Sequence, residues 1–134
     1  MITVLATNAY KAAYKAVKAS TPAKSIPVSS HILIYVNSDN RLTFVPFRFD
    51  ERAEHTETIP ARVDGVDFAA CVPAKPFRDW LHATQEKQPK RGIGRGDCNQ
   101  IQLTFDPECQ RLHIKAGNTR AEFCCIDARE FPPC

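Results

Sequence analysis

The chain has 134 residues, enough for one domain with one core. Apolar residues make up 43% and charged residues 25%, ordinary for a globular protein, and no run approaches the roughly 20 apolar residues of a membrane span. The 18 Lys and Arg against 15 Asp and Glu leave a net charge of +3, which permits a polyanionic partner without indicating one.

"ITVL" (2–5) is a short apolar run and reads as a strand. "TNAYKAAYKAVKAS" (7–20) follows, rich in alanine and set for helix, with Thr7 or Asn8 able to cap its start. This opening lacks a basic head followed by a continuous apolar stretch, so it does not read as a signal peptide. A cytoplasmic protein is expected, with its six cysteines reduced. "TPAKSIPVSS" (21–30) is a loop whose prolines end the helix. "HILIYVN" (31–37) and "RLTFVPF" (41–47) flank the turn-former "SDN" and predict a β-hairpin. Residues 48–60 are polar on both alternating faces, a weak strand leading into a loop.

"VDFAACVP" (66–73) is a strand ended by proline. "AKPFRDWLHATQEK" (74–87) is a second helix, with Pro76 tolerated in its first turn. Residues 88–99 form a basic, glycine-containing loop. Strands are predicted at 100–105, 111–116 and 120–126. The order is β-α-β-β-β twice over, a repeat of one supersecondary unit. One helix per run of antiparallel strands gives an α+β class.

Steps of about 100° per residue sort the helix faces. Tyr10, Ala13, Tyr14 and Val17 share the face expected to be buried in the first helix, and Lys11, Lys15 and Lys18 stack on another. In the second helix Phe77, Trp80, Leu81 and Thr84 face inward. Lys75, Arg78 and His82 line the outside, with Asp79 at the stripe's edge. A lysine stripe on one helix is usually just solvated. Two matched stripes in a repeat weaken that reading but leave it in front; the functional alternative is contact with nucleic-acid phosphate, which is independent of base sequence and sensitive to salt.

Other chemistries are weaker. Cys109 and His113 are four apart, but no C-x-x-C pair exists, so no metal is expected. No Cys-His pair carries an enzyme signature. "GIGRG" lacks the G-K-[ST] of a phosphate loop. Cys124 and Cys125 are neighbours in a strand and point to opposite faces, so they cannot share one metal.

Val72, Pro73, Ala74 and Lys75 open the second helix. Gly117, Asn118, Thr119, Arg120 and Phe123 lead to an Asp127–Phe131–Pro132 exit, and "IPV" (26–28) precedes a long apolar strand. With these motifs the chain resembles the first domain of the bacterial DNA polymerase III beta subunit, the sliding clamp. Two features depart from the family pattern. "PFRFDERAEH" stands where a Thr-Asp pair usually leads a strand, and the loop at 88–99 is longer than usual.

The resemblance implies a DNA-clamp fold over 1–134, the N-terminal domain of a longer three-domain subunit. It implies a non-enzymatic role without cofactor or metal. Subunits close head to tail into a ring around double-stranded DNA, serving a replicative polymerase and loaded by a clamp loader. By position, Lys75 matches a basic residue turned towards DNA, and Lys24 lies in the loop where another is common. Lys11, Lys15, Lys18, Arg78 and His82 join them from the helical projection. The strand at 119–126 is expected at a sheet edge, with Arg120, Glu122 and Cys124 at the subunit interface. The alternative is a standalone module with the same fold, binding a replication protein through that edge without encircling DNA.

Overall fold

Leu5 and Ala6 pass directly from strand to helix, and the same direct passage recurs at Pro73 and Ala74. A computed structural model describes residues 2–21, 27–37, 40–48, 52–65, 67–86, 100–117 and 119–131. The first unit comprises β1 (Ile2–Leu5), α1 (Ala6–Ala19), β2 (His31–Asn37), β3 (Arg41–Val45), β4 (Glu57–Pro60) and β5 (Arg62–Val63). The second comprises β6 (Ala69–Pro73), α2 (Ala74–Glu86), β7 (Gln100–Asp106), β8 (Arg111–Ala116), β9 (Thr119–Cys124) and β10 (Ile126–Asp127). Short 3-10 turns stand at Pro27–Ser30, Arg52–His55 and Ala128–Glu130. Among the described residues, no helix is long and apolar enough to cross a membrane.

The α+β class and the twofold repeat are as expected, but each unit ends in one short strand more than predicted, β5 or β10, and the units are interlocked. One antiparallel sheet runs β5-β1-β7-β8-β9 and the other β10-β6-β2-β3-β4. Each unit lends its first and last strands to the sheet built mainly by the other unit. Ile2 pairs with Leu103, and Leu33 pairs with Cys71. Local periodicity carries no information about such pairing, because register is set by long-range burial.

The weak strand expected over 48–60 is confined to β4 among the described residues, with Leu42 opposite Ile59. The strand expected over 120–126 divides at Cys125, and β9 and β10 belong to different sheets. The division has a local cause. The Cys125 N–H is donated to the carbonyl of Gln110 at 2.7 Å, and Gln110 has φ 54°. The first unit repeats the device. The Ala61 N–H is donated to Asn40 at 3.0 Å, and Asn40 has φ 61°. Ala61 separates β4 from β5 as Cys125 separates β9 from β10.

One main core joins both helices to the inner faces of both sheets. Phe77 of α2 lies at its centre. Its ring stacks on Phe44 of β3 at 6.4 Å and meets Phe123 of β9 edge-on at 5.6 Å, so one side chain touches both sheets. A smaller cluster covers the opposite face of the second sheet, where Val28, Val45, Phe47 and Phe131 surround Cys71.

Neither Thr7 nor Asn8 caps α1. Leu5 occupies the cap position and no side chain bonds there. The helix is held by packing and by its far end instead. Ser20 Oγ donates to the Ala16 carbonyl at 2.7 Å and accepts the Phe47 N–H at 3.1 Å. Arg48 donates to the Ala19 carbonyl at 3.0 Å.

Candidate nucleic-acid interface

The two helices pack side by side, with Tyr10 of α1 and His82 of α2 in ring contact at 5.3 Å. The buried side of α1 is Ala6, Ala9, Ala12, Ala13 and Ala16. The expected face of Tyr10, Ala13, Tyr14 and Val17 is thus displaced by about a quarter turn of the helix. Only Ala13 of that set is buried; Tyr10 and Val17 are intermediate, and Tyr14 is 45% exposed. Small side chains let the helix lie close to its neighbours, and that close packing outweighs burying larger rings. In α2 the reading holds for Phe77, Leu81 and Thr84, while Trp80 is half-buried.

Lys11, Lys15 and Lys18 are exposed on α1, and Lys75 and His82 on α2. Arg78 is only half exposed. Its guanidinium holds the Asp79 carboxylate at 2.9 and 3.0 Å, so the expected exposed cation is in part spent locally. Lys15 reaches Glu57 of β4 at 3.3 Å. Both groups keep solvent access, so this pair is weak. Lys11, Lys18 and Lys75 have no ion-pair partner among the described residues. Lys24 and the basic loop at 88–99 lie outside the described residues.

The second expected surface is the edge strand. β9 is terminal in its sheet and pairs only with β8 among the described residues. Arg120, Glu122 and Cys124 are exposed on one face, while Ala121 and Phe123 turn towards the core. Glu122 bonds Arg111 of β8, which holds its carboxyl below the usual range. Lys115 stands directly across from Arg120, both exposed. Like charges so placed repel. The alternation of β8 contains the signal for Lys115: Arg111, His113 and Lys115 share its outer face.

The two adjacent thiols separate as strand geometry requires. Cys124 is exposed, whereas Cys125 packs against the core and burial pushes its thiol up to about 12. Cys71 is buried. Maleimide labelling at neutral pH, followed by peptide mass spectrometry, is expected to modify Cys124 well before Cys125 or Cys71. Equal labelling rates in the folded chain would contradict this placement. Among the described residues, no three His, Cys, Asp or Glu side chains converge to hold a metal ion.

No protein-family model matches the sequence, and no curated protein does. Solved structures do match the backbone. The DNA polymerase sliding clamp from Caulobacter crescentus aligns over 99% of this chain and 32% of its own, with TM-score 0.75 and 22% identity. The fold is that of one sliding-clamp domain. The DNA polymerase III subunit beta from Pseudomonas aeruginosa aligns over 100% of this chain and 32% of its own, with TM-score 0.75 and 17% identity. The Helicobacter pylori beta clamp aligns over 99% and 32%, with TM-score 0.73 and 19% identity. The chain spans about a third of the length of these solved chains. The clamp fold explains the interlocked sheets, which the order of strands along the chain left open.

Proposed function

We propose that this clamp domain forms part of a ring that encircles duplex DNA and keeps a replicative polymerase on its template. The observation that carries the reading is the cationic helix pair. Lys11, Lys18 and Lys75 stand exposed on two adjacent rigid helices, and α1 has no acidic residue. Lysine gives a long-reach charge without the planar fork that reads base edges. Such contacts hold the backbone and let the protein slide. Lys15, Arg78 and His82 complete the proposed face, with Lys15 and Arg78 weakened by their acidic neighbours, and Lys24 is assigned to DNA contact from the sequence resemblance alone. The role is non-enzymatic, and it needs no cofactor.

The β9 edge, with Arg120, Glu122 and Cys124, is proposed as the head-to-tail subunit contact. An open edge invites another strand, and a neighbouring subunit would cover it. The full ring, the polymerase and the clamp loader belong to this proposal. The same open edge supports the second reading, a standalone module that docks a replication protein there. Sedimentation separates the two: a ring-forming assembly supports the first, and a monomer excludes ring closure by this chain alone.

DNA binding has its own test. Fluorescence anisotropy at low salt is expected to show weak binding to duplexes of unrelated sequence with equal affinity. The logarithm of the binding constant should fall linearly with log salt, with a slope of about −0.9 per phosphate contacted. Affinity that depends on base sequence, or that ignores salt, would refute the reading.

A further inference from the structure

A single exposed tyrosine needs no explanation. Tyr14 differs in its surroundings. It is 45% exposed near the middle of α1. Lys11 lies three residues before it and Lys18 four after it, so both are its neighbours on the helix surface. The ring of Tyr10 lies 6.0 Å away at 50°, and the His82 ring lies 5.3 Å from Tyr10. Three rings therefore form a row from α1 to α2, with its Tyr14 end between two lysines.

Phosphate binding accounts for the lysines but not for the ring. A duplex stacks its base faces on one another and offers none to a side chain. An unpaired base offers a free π-face, and aromatic rings inside a cationic surface are the usual means of holding single strands. Tyr10, itself set against His82, backs Tyr14 and limits its freedom, which lowers the cost of ordering it on binding. We propose that Tyr14 is a stacking site for an unpaired base of single-stranded DNA, with the flanking phosphates held by Lys11 and Lys18. This rests on the nucleic-acid reading above and adds a second substrate form, single-stranded beside double-stranded.

The test compares three labelled probes by anisotropy at low salt: an oligothymidylate, an abasic oligonucleotide of equal length, and a duplex. Tyr14→Ala is expected to weaken oligothymidylate binding roughly five- to tenfold. Abasic and duplex binding should not change. Tyr14→Phe, which keeps the ring, should retain oligothymidylate affinity, and circular dichroism would confirm that both variants keep the helix. Equal loss on all three probes would make Tyr14 a support for the helix face and overturn the proposal. So would no loss on any. If the unaltered chain binds none of the probes, the nucleic-acid reading fails and this inference falls with it. If it binds all three and only the lysine variants matter, the stacking site alone is refuted.

Discussion

Phe77→Ala is expected to lower unfolding stability by about 3–5 kcal/mol, the range for removing a fully buried aromatic ring. Phe77 is 0% exposed. Its partners belong to different sheets, Phe44 to one and Phe123 to the other. For the void to collapse, α2 would have to approach both sheets at once. It cannot do so freely, because α1 packs beside it and each sheet holds two strands from the other unit. Relaxation is therefore restricted and the cost falls at the high end. A domain of this size has only about 5–15 kcal/mol in total, so the variant should be marginal. Urea denaturation followed by circular dichroism measures the shift. Phe77→Leu keeps most of the volume and should cost clearly less. The exchange of β1 and β6 also predicts one cooperative transition, since neither unit can unfold without stripping a strand from the other. A loss below about 1.5 kcal/mol, or two separated transitions, would contradict this account of the core.

What the sequence makes legible here is what local period and turn chemistry control. Ile32, Ile34 and Val36 alternate into the core as β2 predicts, and Phe77 and Leu81 fall on the buried side of α2. Cys124 and Cys125 part as neighbouring strand residues must. The phase of α1 was not legible from side-chain size. Tyr10 and Tyr14 suggest an apolar face, but the alanines alone permit close packing against other elements. The exchange of strands was invisible as well, since Ile2 meets Leu103 across a separation that no local window spans. Two charges in the candidate site depend on that tertiary arrangement. Lys15 meets Glu57 only because β4 lies alongside α1, and Lys115 meets Arg120 only through the register of β8 with β9. The repeat itself has a legible trace once the structure is known. Asn40 and Gln110 both take left-handed backbone, and each accepts the N–H of the residue that ends the next strand but one, Ala61 after β4 and Cys125 after β9.

Replacing Lys11, Lys15, Lys18 and Lys75 together with Gln is expected to abolish most duplex binding. Gln matches lysine in helix propensity, so the change removes charge while leaving α1 and α2 intact. If each lysine neutralises one phosphate, the log–log salt slope becomes shallower by roughly three to four, and low-salt affinity falls by on the order of a hundredfold. The single variants should not be equal. Lys11, Lys18 and Lys75 have no acidic partner among the described residues, whereas Lys15 is drawn to Glu57 and Arg78 to Asp79. Lys11→Gln, Lys18→Gln and Lys75→Gln should each cost more than Lys15→Gln, and Arg78→Gln should cost least. Glu57→Gln should act in reverse, releasing Lys15 and strengthening binding slightly. That ranking separates phosphate contact at the helix face from a diffuse effect of net charge, in which every removed cation counts alike. Equal effects across the five single variants would assign DNA binding to overall charge. An unchanged salt slope in the quadruple variant would remove these lysines from the DNA-facing surface altogether.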